Sequence, residues 1–190
     1  MNPTCRLSLA MKTPETADRL TAAELTETFR ALGMIPNLFG YMANAPGLLT
    51  AYRHGYELFR QHSGFSPIEQ EVVFLTISFV NDCEYCMAAH SVVADAHSRV
   101  PREVTDAIRA GKVVPDAELE ALSIFTRIMV YSRGRPDQAD VDRFLAAGYT
   151  EAHILQIILA IGVKTLSNYT NHVCRTPLDA AFAGREWSRP

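Results

Sequence analysis

Four residues in this 190-residue chain have the types and spacing to do chemistry: Glu71, Cys83, Cys86 and His90, all within the stretch EVVFLTISFVNDCEYCMAAH. Two cysteines three positions apart near a helix start can cycle between dithiol and disulfide. Unpaired backbone N–H groups and the helix dipole favour a thiolate there. Taking about 100° per residue, Cys83, Cys86 and His90 share one helical face. His90 lies one turn past Cys86, within reach to accept or relay a proton. By position alone Cys83, nearer the helix start, is the more acidic thiol. Other readings of the pair are a zinc half-site, with Cys174 and His90 as further ligands, or two cysteines buried side by side.

Glu71 completes the set. Ser66-Pro67-Ile68-Glu69 forms a capping box with proline in the first turn, which accounts for Glu69. Glu71 falls beyond that turn, beside Ile68, Phe74 and Leu75. A carboxylate there is costly unless paired or protonated, and burial raises its pKa toward the range of a general acid or base. The alternative is an exposed glutamate on the wet edge of the helix.

These residues need a scaffold, and the pattern is helical throughout. Helices are expected from Thr16 to Gly33, with Leu20, Leu25 and Phe29 inward, and from Pro46 to near Gly64. Further helices run from Pro67 to Val80, apolar all round and therefore buried, and from Cys83 to about Ser98, capped by Asn81-Asp82. More follow over 101–111, 116–132, 138–147 and 150–172. Residues 34–45 read as a loop with a short helical turn. No strand and no repeat is evident. The fold class is all-α, about eight helices joined by short loops, in a single domain of 1–190 with an irregular arm at 1–15 and a tail at 176–190.

Composition narrows the function classes. The net charge of −3 and pI near 6.1, with no basic stripe, argue against nucleic acid. The longest apolar stretch, 72–80, is too short to span a bilayer, and the first residues lack a signal pattern, so no membrane association and a cytoplasmic location are expected. In a reducing compartment four cysteines do not form a structural framework. Cys5 and Cys174 have no evident role. Asn168–His172 reads as a pocket lining or a hydrogen-bonded helix end. Tyr85 either lends a hydroxyl or packs, and His54, His62, His97 and His153 read as surface or packing residues.

The pattern Glu71-x11-Cys83-x-x-Cys86-x-x-x-His90 resembles the AhpD-like (alkylhydroperoxidase D-like) superfamily, which includes the carboxymuconolactone decarboxylases. NDCEYCMAAH and the upstream MIPNLFGYMANAPGLL resemble its peroxidase-related branch. The resemblance covers roughly residues 34–175. It implies an AhpD-like helical fold assembling into homo-oligomers (dimer, trimer or hexamer), and a peroxiredoxin-type thiol peroxidase without metal, haem or other cofactor. On the matching positions it makes Cys86 the peroxidatic thiol, Cys83 the resolving thiol, and His90 and Glu71 the proton relay. A lipoylated or thioredoxin-like dithiol protein would be the reductant. Where the best-characterised members have histidine between the cysteines, this chain has Tyr85. Two other roles are compatible with the residues: a decarboxylase using Glu71 and His90, and a non-enzymatic redox sensor or zinc-binding interaction protein.

Overall fold

A computed structural model describes residues 6–190; Cys5 lies outside them. Among the described residues there is no strand, and nine α-helices follow one another: α1 (Arg19–Leu32), α2 (Asn37–Met42), α3 (Pro46–His62), α4 (Pro67–Val80), α5 (Glu84–Val93), α6 (Arg102–Arg109), α7 (Ala117–Tyr131), α8 (Gln138–Ala146) and α9 (Glu151–Cys174). A π-helical turn, Ala94–Ser98, extends α5, and a 3-10 turn, Ala180–Arg185, follows α9. The described residues therefore hold one α-helix beyond the about eight expected. The addition is α2, whose six residues lie in the segment read as a loop with a short helical turn.

α4 is the axis of the molecule. Ser66 accepts from the Glu69 N–H and Glu69 accepts from the Ser66 N–H, so the expected capping box forms. From Gln70 to Phe79 every residue is buried. The helix packs most extensively on α7, then on α5, α6 and α9. On its α3 side Phe74 meets Phe59 and stacks on Tyr56. Phe74 is fully buried, so its truncation to alanine would cost about 3–5 kcal/mol.

α3 and α9 close over α4, and Gly55 allows it: a Cβ there would sit 2.9 Å from the Val163 side chain. α1 starts at Arg19 on an Asp18 cap rather than at Thr16. Of its expected inward residues only Leu25 is buried. Leu20 and Phe29 face solvent, because α1 lies on α3 through a narrow stripe.

The α4–α5 connection also differs from expectation. Asn81 and Asp82 do not cap α5. Asp82 takes a left-handed backbone (φ 56°), and the Cys83 N–H bonds back to the Ser78 carbonyl, so the cap position falls on Cys83 itself. The Asn81 side chain is drawn off to Asn168 on α9. The segment after α9 is folded onto the body. Asp179 is buried, Trp187 packs edge-on against Phe79, and Arg185 pairs with Asp95 and Asp106. No single helix is long and apolar enough to cross a membrane.

Candidate active site

The two-residue turn after α4 folds α5 back beside it, and this brings the four residues together. Cys83 is the cap residue of α5, Cys86 lies in its first turn, and His90 follows one turn later. Both thiols are free and almost fully buried. Asn171, reaching in from α9, holds its side-chain amide 3.3 Å from Cys86 Sγ and 3.7 Å from Cys83 Sγ. Ser167 Oγ lies 3.9 Å from Cys86 Sγ.

The thiols are polarised against each other. Their mutual hydrogen bond pushes the Cys83 thiol well up, and burial adds to this. Burial alone would raise Cys86 too. The bond from Cys83, Lys164, His90 and Ser167 outweigh it and hold Cys86 well below the usual thiol range. The more acidic cysteine is thus Cys86, not the one nearer the helix start. The bond from Cys83, with Lys164 and Ser167 on α9, overrides position along the helix.

Glu71 is fully buried and shared between two partners. His90 Nδ1 is 2.9 Å from Oε2, and Arg60 donates to Oε1. Arg60 also bonds the Tyr56 hydroxyl (2.7 Å) and Gln70 Oε1 (3.1 Å), with its guanidinium over the Tyr56 and Phe74 rings. The expected rise in the Glu71 pKa does not occur. Burial raises it, but His90 and Arg60 outweigh burial and keep it below the ordinary carboxylate value. Glu71 is an ionised anchor. Burial, then Lys164, lowers His90 against the opposing pull of Glu71, so the imidazole is neutral near pH 7. With Nδ1–H donated to the carboxylate, Nε2 carries the free lone pair.

Lys164 is the unexpected member. It is fully buried on α9, its amine has no hydrogen-bond partner, and it lies 5.5 Å above the Phe74 ring. A single lysine in the apolar run ILAIGVK was the sequence signal for it. Arg60 gave no such signal, since a basic residue in a last helical turn is ordinary. Asn171 lay within the polar cluster at the end of α9, which proves to be both a site wall and a bonded helix end: Asn168 accepts from Asn81 at 2.8 Å.

Two cavities reach the cysteines. The larger, about 640 Å³, lies between α1, α2, α3 and α5. Phe39, Tyr52, Tyr56, Tyr85 and Phe182 surround Cys86 and His90 there. Burial, with Tyr56 and Cys86 nearby, pushes the Tyr52 phenol well up, so it remains a donor. The smaller, about 550 Å³, contains Cys83 and is lined by polar side chains including Asn81, Glu84, Asn171 and Thr176. Tyr85 lines both, and its hydroxyl donates to Asp179, away from the thiols. Of the two readings for Tyr85, the structure gives packing. Among the described residues no three His, Cys, Asp or Glu side chains converge as a metal ion would require, so Cys174 does not complete a zinc site with Cys83, Cys86 and His90.

Residues 46–126, which contain Glu71, Cys83, Cys86 and His90, match the family model described as the carboxymuconolactone decarboxylase family. No curated protein matches the sequence. Among solved structures, the chain is similar to an alkylhydroperoxidase AhpD core, an uncharacterized peroxidase-related protein from Ralstonia eutropha JMP134, with TM-score 0.81, 19% identity and 96% of each chain covered. A peroxidase-related protein from Silicibacter sp. TM1040 superposes with TM-score 0.77 at 24% identity, covering 97% of this chain and 98% of that one. The debrominase Bmp8, a cysteine-to-alanine variant in complex with 2,3,4-tribromopyrrole, gives TM-score 0.75 at 16% identity over 96% and 97%. At such identities the likeness speaks to the fold.

Proposed function

Since the chain belongs to the AhpD-like, carboxymuconolactone decarboxylase superfamily, we propose that it is a thiol peroxidase that reduces hydroperoxides through a Cys83/Cys86 dithiol–disulfide cycle. The observation that carries this reading is the Glu71-held imidazole of His90 one helical turn past Cys86, on the wall of the same cavity. His90 Nε2 takes the Cys86 proton. The thiolate attacks the peroxide O–O bond and becomes a sulfenic acid, and the proton held by His90 goes to the departing alkoxide. The Cys83 thiol then displaces water and closes the disulfide, and an external dithiol reduces it.

The aromatic cavity is far larger than hydrogen peroxide requires, which favours an organic hydroperoxide. The same cavity supports a second reading, given the debrominase with the same fold. In reductive dehalogenation an aryl bromide and the two thiols would give the arene, the Cys83–Cys86 disulfide and hydrogen bromide. The solvent-facing Phe29 and Leu32 on α1, and Leu155 and Ile158 on α9, support assembly into a homo-oligomer.

Titrating free thiols against cumene hydroperoxide tests the proposal. The wild type should lose the Cys83 and Cys86 thiols together. Cys83→Ser should stop at a sulfenic acid on Cys86, and Cys86→Ser should not react. Full peroxide consumption by Cys86→Ser with a dithiol donor would sink the reading. Turnover of a lactone substrate surviving loss of both cysteines would point to decarboxylase chemistry through Glu71 and His90. Bromide release from a bromopyrrole with no response to peroxide would select the dehalogenase.

A further inference from the structure

The two cysteines line different cavities. Cys86 lines the aromatic cavity, Cys83 lines the polar one, and the Tyr85 ring, anchored by Asp179 and edged by Phe182, stands between them. Nothing in the substrate chemistry requires a second cavity at the other sulfur. Its lining is also unusual. Asn171 Oδ1, His172 Nε2 and Thr176 Oγ1 are all shielded from solvent and have no protein partner. Asn171 itself is more than nine-tenths buried, and its amide is committed to the two sulfurs, while its oxygen has no partner. Buried polar atoms left unpaired cost about 1–3 kcal/mol each, so three at one cavity mark a place for a polar molecule.

We infer that the polar cavity is the reductant site, where a dithiol carrying amide or hydroxyl groups near its sulfurs attacks Cys83, while substrate occupies the separate aromatic cavity at Cys86. This rests on the proposed dithiol–disulfide cycle. The donor thiolate attacks Cys83 Sγ, the Cys83–Cys86 bond breaks, and its electron pair leaves on Cys86 as a thiolate. The donor's second thiol then attacks the donor sulfur of the mixed disulfide. This releases Cys83, which takes up a proton, and leaves the donor as its own disulfide. The direction suits the leaving groups. Thiol exchange is faster when the better-stabilised thiolate departs, and Lys164, Ser167 and Asn171 are arranged around Cys86. Attack at Cys86 would instead expel Cys83, the less stabilised anion.

The two-sided route separates the half-reactions in space. Bound substrate or product in the aromatic cavity does not obstruct re-reduction, so the two reagents should not compete.

The test uses the full-length protein oxidised with diamide, so it does not depend on peroxide chemistry. Glutathione is added, the exchange is quenched in acid, and the mixed disulfide is mapped by mass spectrometry. Glutathione should be found on Cys83; finding it on Cys86 overturns the inference. The second arm measures the two half-reactions separately in two cavity-filling variants. Glu84→Trp, on the rim of the polar cavity, should slow re-reduction by dihydrolipoamide about tenfold and leave oxidation by cumene hydroperoxide unchanged. Ala89→Trp, in the aromatic cavity, should do the reverse. Equal slowing of both half-reactions by either variant would show a shared route and also overturn it. A pair that diamide oxidises but peroxide does not would remove the proposed peroxidase and leave this inference to the mapping experiment.

Discussion

Glu71 Oε2 lies 2.9 Å from His90 Nδ1, and the carboxylate has no exposure to solvent. The contact fixes both charge and direction. It holds the glutamate ionised and turns the free imidazole nitrogen away from it. Glu71→Gln keeps the shape and removes the charge. Because Glu71 raises the His90 pKa, its loss lowers that pKa further, so the acid limb of the pH–rate profile should move to lower pH. The peroxide rate should fall about 10–100-fold. An unmoved acid limb would show that His90 is not the titrating base.

Arg60→Met removes the other partner of the same carboxylate. A buried anion is then held by a neutral imidazole alone, and breaking such a pair costs about 3–5 kcal/mol. Urea denaturation should show that loss. The double variant Arg60→Met with Glu71→Gln should recover much of it, because no buried charge is left uncompensated. Additive losses would count against the pairing.

Lys164→Met should separate stability from reactivity. Replacing an unpartnered buried amine with an apolar side chain of similar length should leave stability unchanged or raise it by about 1–4 kcal/mol. The same change removes a charge that favours the Cys86 thiolate. Iodoacetamide labelling of Cys86 should therefore slow at neutral pH, and its midpoint should move up. A midpoint that stays in place would remove Lys164 from the site's electrostatics.

Stability should fall on acidification in two stages. His90 has a folded pKa below its ordinary value of 6.5, so the unfolded chain takes up the proton first and stability drops as the pH falls below about 6.5. Glu71 is also depressed, from 4.5, so a further loss begins below about pH 4.5 as the unfolded carboxylate protonates ahead of the folded one. Denaturation midpoints measured from pH 8 to pH 4 check this, and His90→Gln should abolish the first stage.

Tyr85→Phe removes only the bond to Asp179, which still accepts from the Asn37 N–H. A hydrogen bond to a carboxylate is worth about 1.5–3 kcal/mol, and urea unfolding should show a loss of that order. An unchanged midpoint would mean the 3-10 turn gains nothing from this anchor.

Much of this was legible in the sequence because it is local. Ser66, Pro67 and Glu69 define the start of α4 without help from the rest of the chain, and the long apolar run declares that helix buried. Glu71, Cys83, Cys86 and His90 all belong to one helical hairpin, so spacing alone could join them. What escaped depends on distant segments. Arg60 meets Glu71 only because α3 packs on α4. Lys164, Ser167 and Asn171 reach the thiols from α9, and Lys164 and Ser167 add to the bond from Cys83 in lowering Cys86. The outward turn of Leu20 and Phe29 reflects how little of α1 the body covers, which no periodicity encodes.

The hairpin turn at Asp82 has a bearing on the order in which the molecule comes together. The Glu71–His90 contact spans 19 positions and Arg60–Glu71 spans 11, whereas Asn171 reaches the sulfurs across 85 and 88. Short chain closures form earlier than long ones. The pair of thiols is thus expected to meet its carboxylate and imidazole before α9, with its amide and its amine, is placed. During that interval Cys83 and Cys86 are unshielded, and the late-arriving segment brings a competing thiol of its own, Cys174. Refolding under oxidising conditions should be the step at which wrong cross-links arise, and added reductant should suppress them.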